Sequence, residues 1–446
     1  MRHPLLKQLL KIALPLMAGN FVQTLYNLTD TFFLGKLGAD ELSAPTIAFP
    51  IILFFILFGI GLSMAGTTLI AQAKGKRDQE RVNFYLGQTT LILTVTSIGI
   101  AAAGILLAEP LLHLMQTPER VFTFTRDYMV IIFAGMPFMF GFFILQASMQ
   151  GIGRTMVPLA LQAAMVALNI ALDPLFIFGI WIFPAWGVRG AAVATVIARG
   201  LSSIVAFRIL VKGNRGMQLT PSNLRPDRAA IRLFLKIGLP SSMGQAVTAL
   251  GFTVLQGLVN IFGSAVIAAF GVANRIISLF HMPAMGISRA TTTLVGQSLG
   301  ARQVDQAKLV VRLSILSILA FLIPAALFTF FFGGSFIRFF VDDAETIRYG
   351  SILFRIVSPS VVVFGIVHAV LGAFQGAGDT KPVMHLNISR LWLFRLPLAY
   401  LFAVVLAWGP MGIWWAMFLS NILTAAAGLF WYSRGKWITA LDPDTI

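Results

Sequence analysis

Residues 10–34 read Leu10-Lys11-Ile12-Ala13-Leu14-Pro15-Leu16-Met17-Ala18-Gly19-Asn20-Phe21-Val22-Gln23-Thr24-Leu25-Tyr26-Asn27-Leu28-Thr29-Asp30-Thr31-Phe32-Phe33-Leu34. As a helix rising 1.5 Å per residue, this stretch crosses the roughly 30 Å of hydrocarbon in a bilayer. Its opening hexapeptide returns much later as Leu235-Lys236-Ile237-Gly238-Leu239-Pro240. Near its far end stands Asp30, and only Asp173 matches it in depth within an apolar span; the other fifteen of the seventeen Asp and Glu sit in loops, near span ends or in the tails. A carboxylate at the bilayer centre costs about 2.5–3.5 kcal/mol on insertion scales, so such residues are functional candidates by default.

Working outward, the whole chain has the same character. It is 57% hydrophobic and only 11% charged, against about 25% charged in soluble domains. Apolar stretches of about 20 residues recur throughout, and in lipid they must be helices because every backbone polar group needs an internal partner. The formal charge of +16 does not imply nucleic acid: the basic residues are spread over alternate loops, as on a cytoplasmic membrane face. There is no cysteine, which excludes disulfides, thiol catalysis and thiolate metal sites. Met1 to Gln8 is short, basic and continuous with a full span, so it does not read as a cleaved signal peptide.

The reading is an all-α integral membrane protein with twelve transmembrane helices. They fall near 10–34, 45–71, 86–110, 127–149, 157–181 and 187–210, then near 233–260, 265–292, 310–333, 351–374, 383–407 and 410–432. One set of loops carries Arg2, Lys7, Lys74, Lys76, Arg77, Arg81, Arg154, Lys212, Arg215, Arg225, Arg228, Arg302, Lys308, Lys381, Arg434 and Lys436. The opposite set carries Asp40, Glu41, Glu109, Glu119, Asp342, Asp343 and Glu345. The positive-inside rule then puts both termini in the cytoplasm.

The two halves align at a constant offset of 225. Thr67-Thr68-Leu69-Ile70-Ala71-Gln72 pairs with Thr292-Thr293-Leu294-Val295-Gly296-Gln297, and Gln150-Gly151-Ile152-Gly153 with Gln375-Gly376-Ala377-Gly378. Gly19, Gly38, Gly75 and Arg77 fall on Gly244, Gly263, Gly300 and Arg302. Six spans return the chain to its starting side, so the expectation is two six-helix lobes about a pseudo-two-fold axis along the membrane normal. Residues 1–211 form the N-terminal lobe, 212–232 a basic cytoplasmic linker, and 233–446 the C-terminal lobe. The repeat breaks where chemistry is expected: Asp30 falls on Leu255, and Asn169 and Asp173 fall on Phe394 and Leu398.

Asn20, Gln23, Asn27 and Asp30 are spaced by three or four residues and share one face of the first helix, leaving Leu25, Leu28 and Phe32 toward lipid. Asn169 and Asp173, and Thr195 and Arg199, are i, i+4 pairs in the fifth and sixth spans. Two carboxylates close together in low dielectric cannot both ionise easily. The set reads as an ion-coupling site: Asp30 and Asp173 load a proton, or Asp30, Asn169 and Asp173, helped by Thr195, hold a dehydrated sodium ion. Both ions stay open. The competing reading makes the amides and hydroxyls interhelical glue and Asp173 a counter-ion for Arg199. Arg275, Arg355, Arg390 and Arg395 read as snorkelling or bonded to backbone carbonyls, and His281 and His368 as packed or interfacial.

These residues resemble the multidrug and toxic compound extrusion (MATE) family over essentially the whole chain. The marks are the Leu-Pro openings of spans one and seven, Thr292 to Gln297, and Gln375-Gly376-Ala377-Gly378-Asp379-Thr380. Tyr26-Asn27-Leu28-Thr29-Asp30-Thr31, with Asn169 and Asp173, is similar to the DinF-like branch, whose acid lies in the first helix. Spans 233–260 and 351–374 hold no Asp or Glu, unlike the NorM-like branch. The resemblance implies cation coupling at Asp30, Asn169, Asp173 and Thr195, a substrate cavity including Asn20, Gln23, Tyr26, Asn27 and Arg199, and Pro15 as the point where the first helix bends. It also implies a monomer.

The expected function is a secondary active multidrug exporter of the inner membrane. It antiports amphipathic, often cationic compounds against H+ or Na+, contributes to antibiotic resistance, and needs no cofactor. The rival is a lipid-linked precursor flippase of the same superfamily, for which several inward-facing basic residues are expected. A membrane scaffold or receptor fits poorly with a repeat carrying asymmetric buried acids. An enzyme is not expected: no nucleotide-binding glycine loop, metal-ligand cluster or nucleophile–base pair appears.

Overall fold

A computed structural model describes residues 4–180, 183–213 and 216–441, without the Ala39 side chain. Met1, Arg2 and Arg215 of the sequence reading lie outside the described residues. The helices are α1 (Pro4–Gly35), α2 (Ala39–Gly75), α3 (Gln79–Leu114), α4 (Glu119–Ala134), α5 (Met136–Gly151), α6 (Met156–Phe178) and α7 (Val188–Lys212). After a short 3-10 turn at Pro221–Leu224 come α8 (Arg228–Asn260), α9 (Ser264–Gly300), α10 (Val304–Phe340), α11 (Ala344–Ala377), α12 (Thr380–Ile388), α13 (Leu396–Tyr400) and α14 (Pro410–Ser433). Among the described residues, eleven spans are long and apolar enough to cross a bilayer, and α4 with α5 makes a twelfth that bends by 45°. The bend sits where Gly135 precedes Pro137, and proline removes a helical hydrogen bond. The sequence therefore reads twelve spans correctly, and the span it places near 127–149 is the bent pair α4 and α5.

The helices pack as two compact units, Ala18–Leu239 and Met1–Met17 with Pro240–Ile446. In the first, α2 packs on α3, α4 and α5, and α6 on α7; in the second, α11 packs on α9, α10 and α14. The chain passes from one unit to the other inside α1 and again inside α8. Both passages fall within three residues of the repeated prolines, Pro15 and Pro240. Leu5, Leu9, Ile12, Ala13 and Leu16 accordingly share one hydrophobic core with α9 and α11.

The repeated motifs face one another within each unit. A Cβ on Gly151 would lie 3.0 Å from the Thr67 carbonyl oxygen, and one on Gly376 would lie 2.5 Å from that of Thr292. The Thr67 hydroxyl donates to the Ala147 carbonyl at 3.2 Å, and the Thr292 hydroxyl to Gln375 Oε1 at 3.3 Å. Small residues at these faces allow the close helix approach on which packing in lipid depends. The backbone repeats as well: Arg77 and Arg302 hold φ of 61° and 59°, and Gly153 and Gly378 hold 79° and 78°.

The register then changes. The Trp186 amide donates to the Phe176 carbonyl at 3.0 Å, and the Trp408 amide to the Phe402 carbonyl at 3.0 Å. Phe176 therefore corresponds to Phe402, one residue beyond an offset of 225. A π-helical turn is the local mark of an inserted residue; Ser389–Arg395 and Leu401–Val405 are both such stretches, and the first lies wholly before Phe402. At its end, Arg395 rather than Phe394 aligns with Asn169, and past it Ala399 rather than Leu398 aligns with Asp173. The matched pairs Gly187–Gly409 and Gly190–Gly412 set Thr195 against Met417 and Arg199 against Asn421.

The polar segment before α8 is docked on α3. Gln88 Nε2 donates to the carbonyls of Asn223 (3.1 Å) and Arg225 (2.7 Å), while its Oε1 accepts from the Asp227 amide at 3.2 Å. Asn83 Oδ1 accepts from the Gln218 amide at 2.9 Å. Gly87 makes room: a Cβ there would sit 2.5 Å from the Asn223 carbonyl carbon and closer still to its oxygen. Gly87→Val should therefore weaken the docking by about 1–3 kcal/mol, the usual cost of overpacking. Trypsin cleavage after exposed Arg228, next to the docked Asp227, should rise roughly five- to hundredfold. Unchanged cleavage kinetics in limited proteolysis of the variant would show that α3 does not hold this segment.

Candidate functional site

Four polar residues of α1 face the helices of their own unit by simple periodicity. Tyr26 is buried, Asn20, Gln23 and Asp30 are half-buried, and Leu25, Leu28 and Phe32 are exposed. Asn27 lies at the edge of the polar face, exposed, accepting from Gln23 Nε2 at 3.3 Å. From α6, Gln162 reaches across to α1, its Nε2 donating to the Gly19 carbonyl at 3.2 Å and to Gln23 Oε1 at 3.4 Å. The Tyr26 hydroxyl and the Thr195 hydroxyl of α7 are 2.9 Å apart. This bond ties α1 to α7.

Asp173 is fully buried and Asn169 is 1% exposed. One turn apart on α6, they bond directly, Asn169 Nδ2 donating to Asp173 Oδ1 at 3.1 Å. The remaining acceptors have nothing to accept: Asp30 Oδ1, Asp173 Oδ2 and Asn169 Oδ1 are all buried without a hydrogen-bond partner. Asp30 lies within the electrostatic field of Asp173. Arg199 is near Asp30, yet it forms no ion pair within 4.0 Å with either carboxylate. Its Nη1 instead donates to Met139 Sδ at 3.0 Å, and its guanidinium lies 5.9 Å from the Tyr26 ring centroid. Asp173 is thus not held as the counter-ion of Arg199. Unpaired buried carboxylate oxygens are costly, and the inexpensive remedies are a proton or a small cation.

The structure brings Tyr26, Asp30, Asn169, Asp173, Thr195 and Arg199 into one polar cluster, with Gln23 and Asn20 farther along α1. Pro15 lies within continuous α1, in the portion that packs with the other unit. Tyr128 on α4 escapes the sequence reading. It is buried and sits in the fields of Asp30, Tyr26, Arg199 and Asp173. Gln162 escapes it too, although its place seven residues before Asn169 on α6 is a usable signal.

The MatE family profile matches residues 15–175 and again 240–401. The chain belongs to the MatE family. Among similar MatE proteins, the probable multidrug resistance protein YpnP of Bacillus subtilis is 29% identical, covering 97% of this chain and 96% of that protein. The probable multidrug resistance protein NorM of Thermotoga maritima is 28% identical, over 97% and 93% respectively. The fold matches a crystal structure of MATE in the bent conformation, with TM-score 0.91, 24% identity, and coverage of 100% of this chain and 98% of that one.

In this MatE protein, Thr195→Val removes the hydroxyl that bonds to buried Tyr26. Hydrogen bonds between membrane helices average about 0.6 kcal/mol and reach about 1.7, so the variant should lose stability within that range in reversible unfolding from mixed micelles. No loss at all would mean that the Tyr26–Thr195 contact does not hold α1 against α7.

Proposed function

We propose that this MatE protein is a secondary active multidrug exporter of the inner membrane, with both termini in the cytoplasm. It exchanges amphipathic, often cationic organic compounds for protons or sodium ions by rocker-type alternating access. One observation carries the reading: two carboxylates on α1 and α6 share a site in which each keeps an unpartnered buried oxygen and no guanidinium lies within ion-pair distance. The names of its relatives, multidrug resistance proteins, support the substrate class.

The cycle follows from what those oxygens need. A proton or sodium ion arriving from outside satisfies Asp30 and Asp173; Asn169 Oδ1 is the third oxygen available to a metal cation. Neutralised, the polar face of α1 no longer demands the same surroundings. The helix shifts against α6 and α7 through the Tyr26–Thr195 and Gln162–Gly19 contacts, and Pro15 supplies a position where α1 bends without breaking a further hydrogen bond. Substrate leaves outward, and the empty carrier returns to face the cytoplasm. A ligand shifts such an equilibrium only by its differential affinity for the two states, so cation and substrate use the carboxylates alternately. Asn20, Gln23, Tyr26, Asn27 and Arg199 contribute the polar part of the substrate surface.

Proteoliposomes carrying wild type or Asp30→Asn, given a fluorescent cationic dye under an imposed proton gradient or a sodium gradient, test this. Wild type should move dye under one gradient. Asp30→Asn should lower that flux by roughly 5- to 150-fold, the span of a 1–3 kcal/mol coupling free energy. Gradient-driven flux in Asp30→Asn equal to wild type would remove Asp30 from the coupling step.

A further inference from the structure

The C-terminal unit carries a second buried polar cluster, part of which aligns with the candidate cation site, and its charged members are basic rather than acidic. Arg395 aligns with Asn169 and Asn421 with Arg199. Arg395 is 3% exposed and Arg390 is 8% exposed, so neither snorkels to the interface as its sequence suggests. Arg395 Nε donates to the Ser420 hydroxyl at 3.0 Å and its Nη2 to Asn421 Oδ1 at 2.7 Å, while Asn421 Nδ2 donates to the Ser360 hydroxyl at 3.0 Å. Arg390 lies five residues earlier in a π-helical stretch, whose bonds run from i to i+5, and so shares its face.

Phe364 stands in the middle of the second half of this cluster. Its ring centroid is 4.2 Å from the Arg390 guanidinium, 5.0 Å from the His368 ring and 5.7 Å from the His281 ring. The two imidazoles are 5.9 Å apart. Three nitrogens here are buried with no hydrogen-bond partner: Arg390 Nε, His281 Nε2 and His368 Nε2. Among the described residues no carboxylate pairs with either arginine. An uncompensated guanidinium inside a membrane protein is strongly unfavourable. An aromatic face and neutral side chains offset only part of that cost.

We propose that the C-terminal unit holds an anion-binding site, formed by Arg390 and Arg395 with His281 and His368, that takes the carboxylate, sulfonate or phosphate group of an amphipathic molecule. The guanidinium fork matches the geometry of such groups. Phe364 and Phe252, whose ring centroid lies 5.9 Å from Arg390, offer apolar surface for the body that carries the charge. Two sources present this chemistry, a soluble organic anion and an acidic lipid headgroup, and both place their negative charge on the same donors.

The test uses the full chain in nanodiscs of phosphatidylcholine, titrated calorimetrically with naphthalene-2-sulfonate and with its uncharged isostere naphthalene-2-sulfonamide. Wild type should prefer the sulfonate by about tenfold or more, and Arg390→Gln should abolish that preference. Arg390→Lys keeps a buried positive charge but loses the fork; it should fall between the two, and it decides the matter if the glutamine variant does not remain monodisperse. Asp30→Asn should keep the wild-type preference, which separates this site from the coupling acid. Replacing part of the phosphatidylcholine with phosphatidylglycerol identifies the source: competition with the sulfonate assigns the site to lipid headgroups, and no competition to soluble anions, with the anion chemistry upheld in both cases. Equal wild-type affinity for sulfonate and sulfonamide, or undiminished preference in Arg390→Lys, overturns the proposal.

Discussion

Lipid offers a backbone no hydrogen bonds, and that deprivation shapes everything else in this chain. It makes every apolar stretch a helix and removes the usual hydrophobic drive for helices to associate, leaving close packing and polar contacts to do it. The glycines that let α5 reach α2, and α11 reach α9, answer the first demand of that environment. The threonine hydroxyls that bond across the same seams answer the second. The same deprivation isolates the functional residues. A buried acceptor without a donor, such as Asp173 Oδ2, is costly there, and the proposed coupling role rests on that cost.

The two units show how one scaffold accepts opposite chemistry. The first presents buried carboxyl and amide oxygens without partners, and the second a guanidinium nitrogen and two imidazole nitrogens without partners. The π-helical stretch in the second copy changes which residue occupies the position matching Asn169. A one-residue insertion rotates every following side chain around the helix, and here it puts an arginine where the first copy has an amide. That is an economical way for a duplicated gene to acquire a second specificity without disturbing the helices that carry it.

Much of the fold was legible because its signals are long and redundant. Span count, the repeat and the buried acids each follow from a cost that lipid makes large. The misses have physical causes. Nothing in a window of hydrophobicity distinguishes one straight span from α4 and α5 joined at a 45° bend; only Gly135 with Pro137 hints at it. The register slip in the second half is invisible without the backbone, because a π-turn leaves no residue signature. Tyr128 follows Arg126 and Asp127 on α4 and has no polar residue after it there; it comes into the field of Asp30 only in three dimensions. Arg390 and Arg395 looked like snorkelling residues because the sequence places them mid-span without showing that α11 and α14 enclose them. The docking of residues 216–227 on Gln88 and Gly87 was likewise unreadable, since a polar, proline-containing stretch looks the same whether it is free or held.

The grouping of Met1–Met17 with Pro240–Ile446, and of Arg228–Leu239 with the helices before it, also bears on how the protein is made. A ribosome adds about 5–20 residues per second. Leu5, Leu9, Ile12, Ala13 and Leu16 are therefore synthesised tens of seconds before the helices that share their core exist, and the unit spanning residues 18–239 cannot close until translation has passed residue 239. The amino-terminal half of α1 must spend that interval in the bilayer with lipid or insertion machinery as its only company. Folding of each half is thereby made contingent on the arrival of the other, so a truncated product exposes an unfinished seam rather than posing as a finished domain.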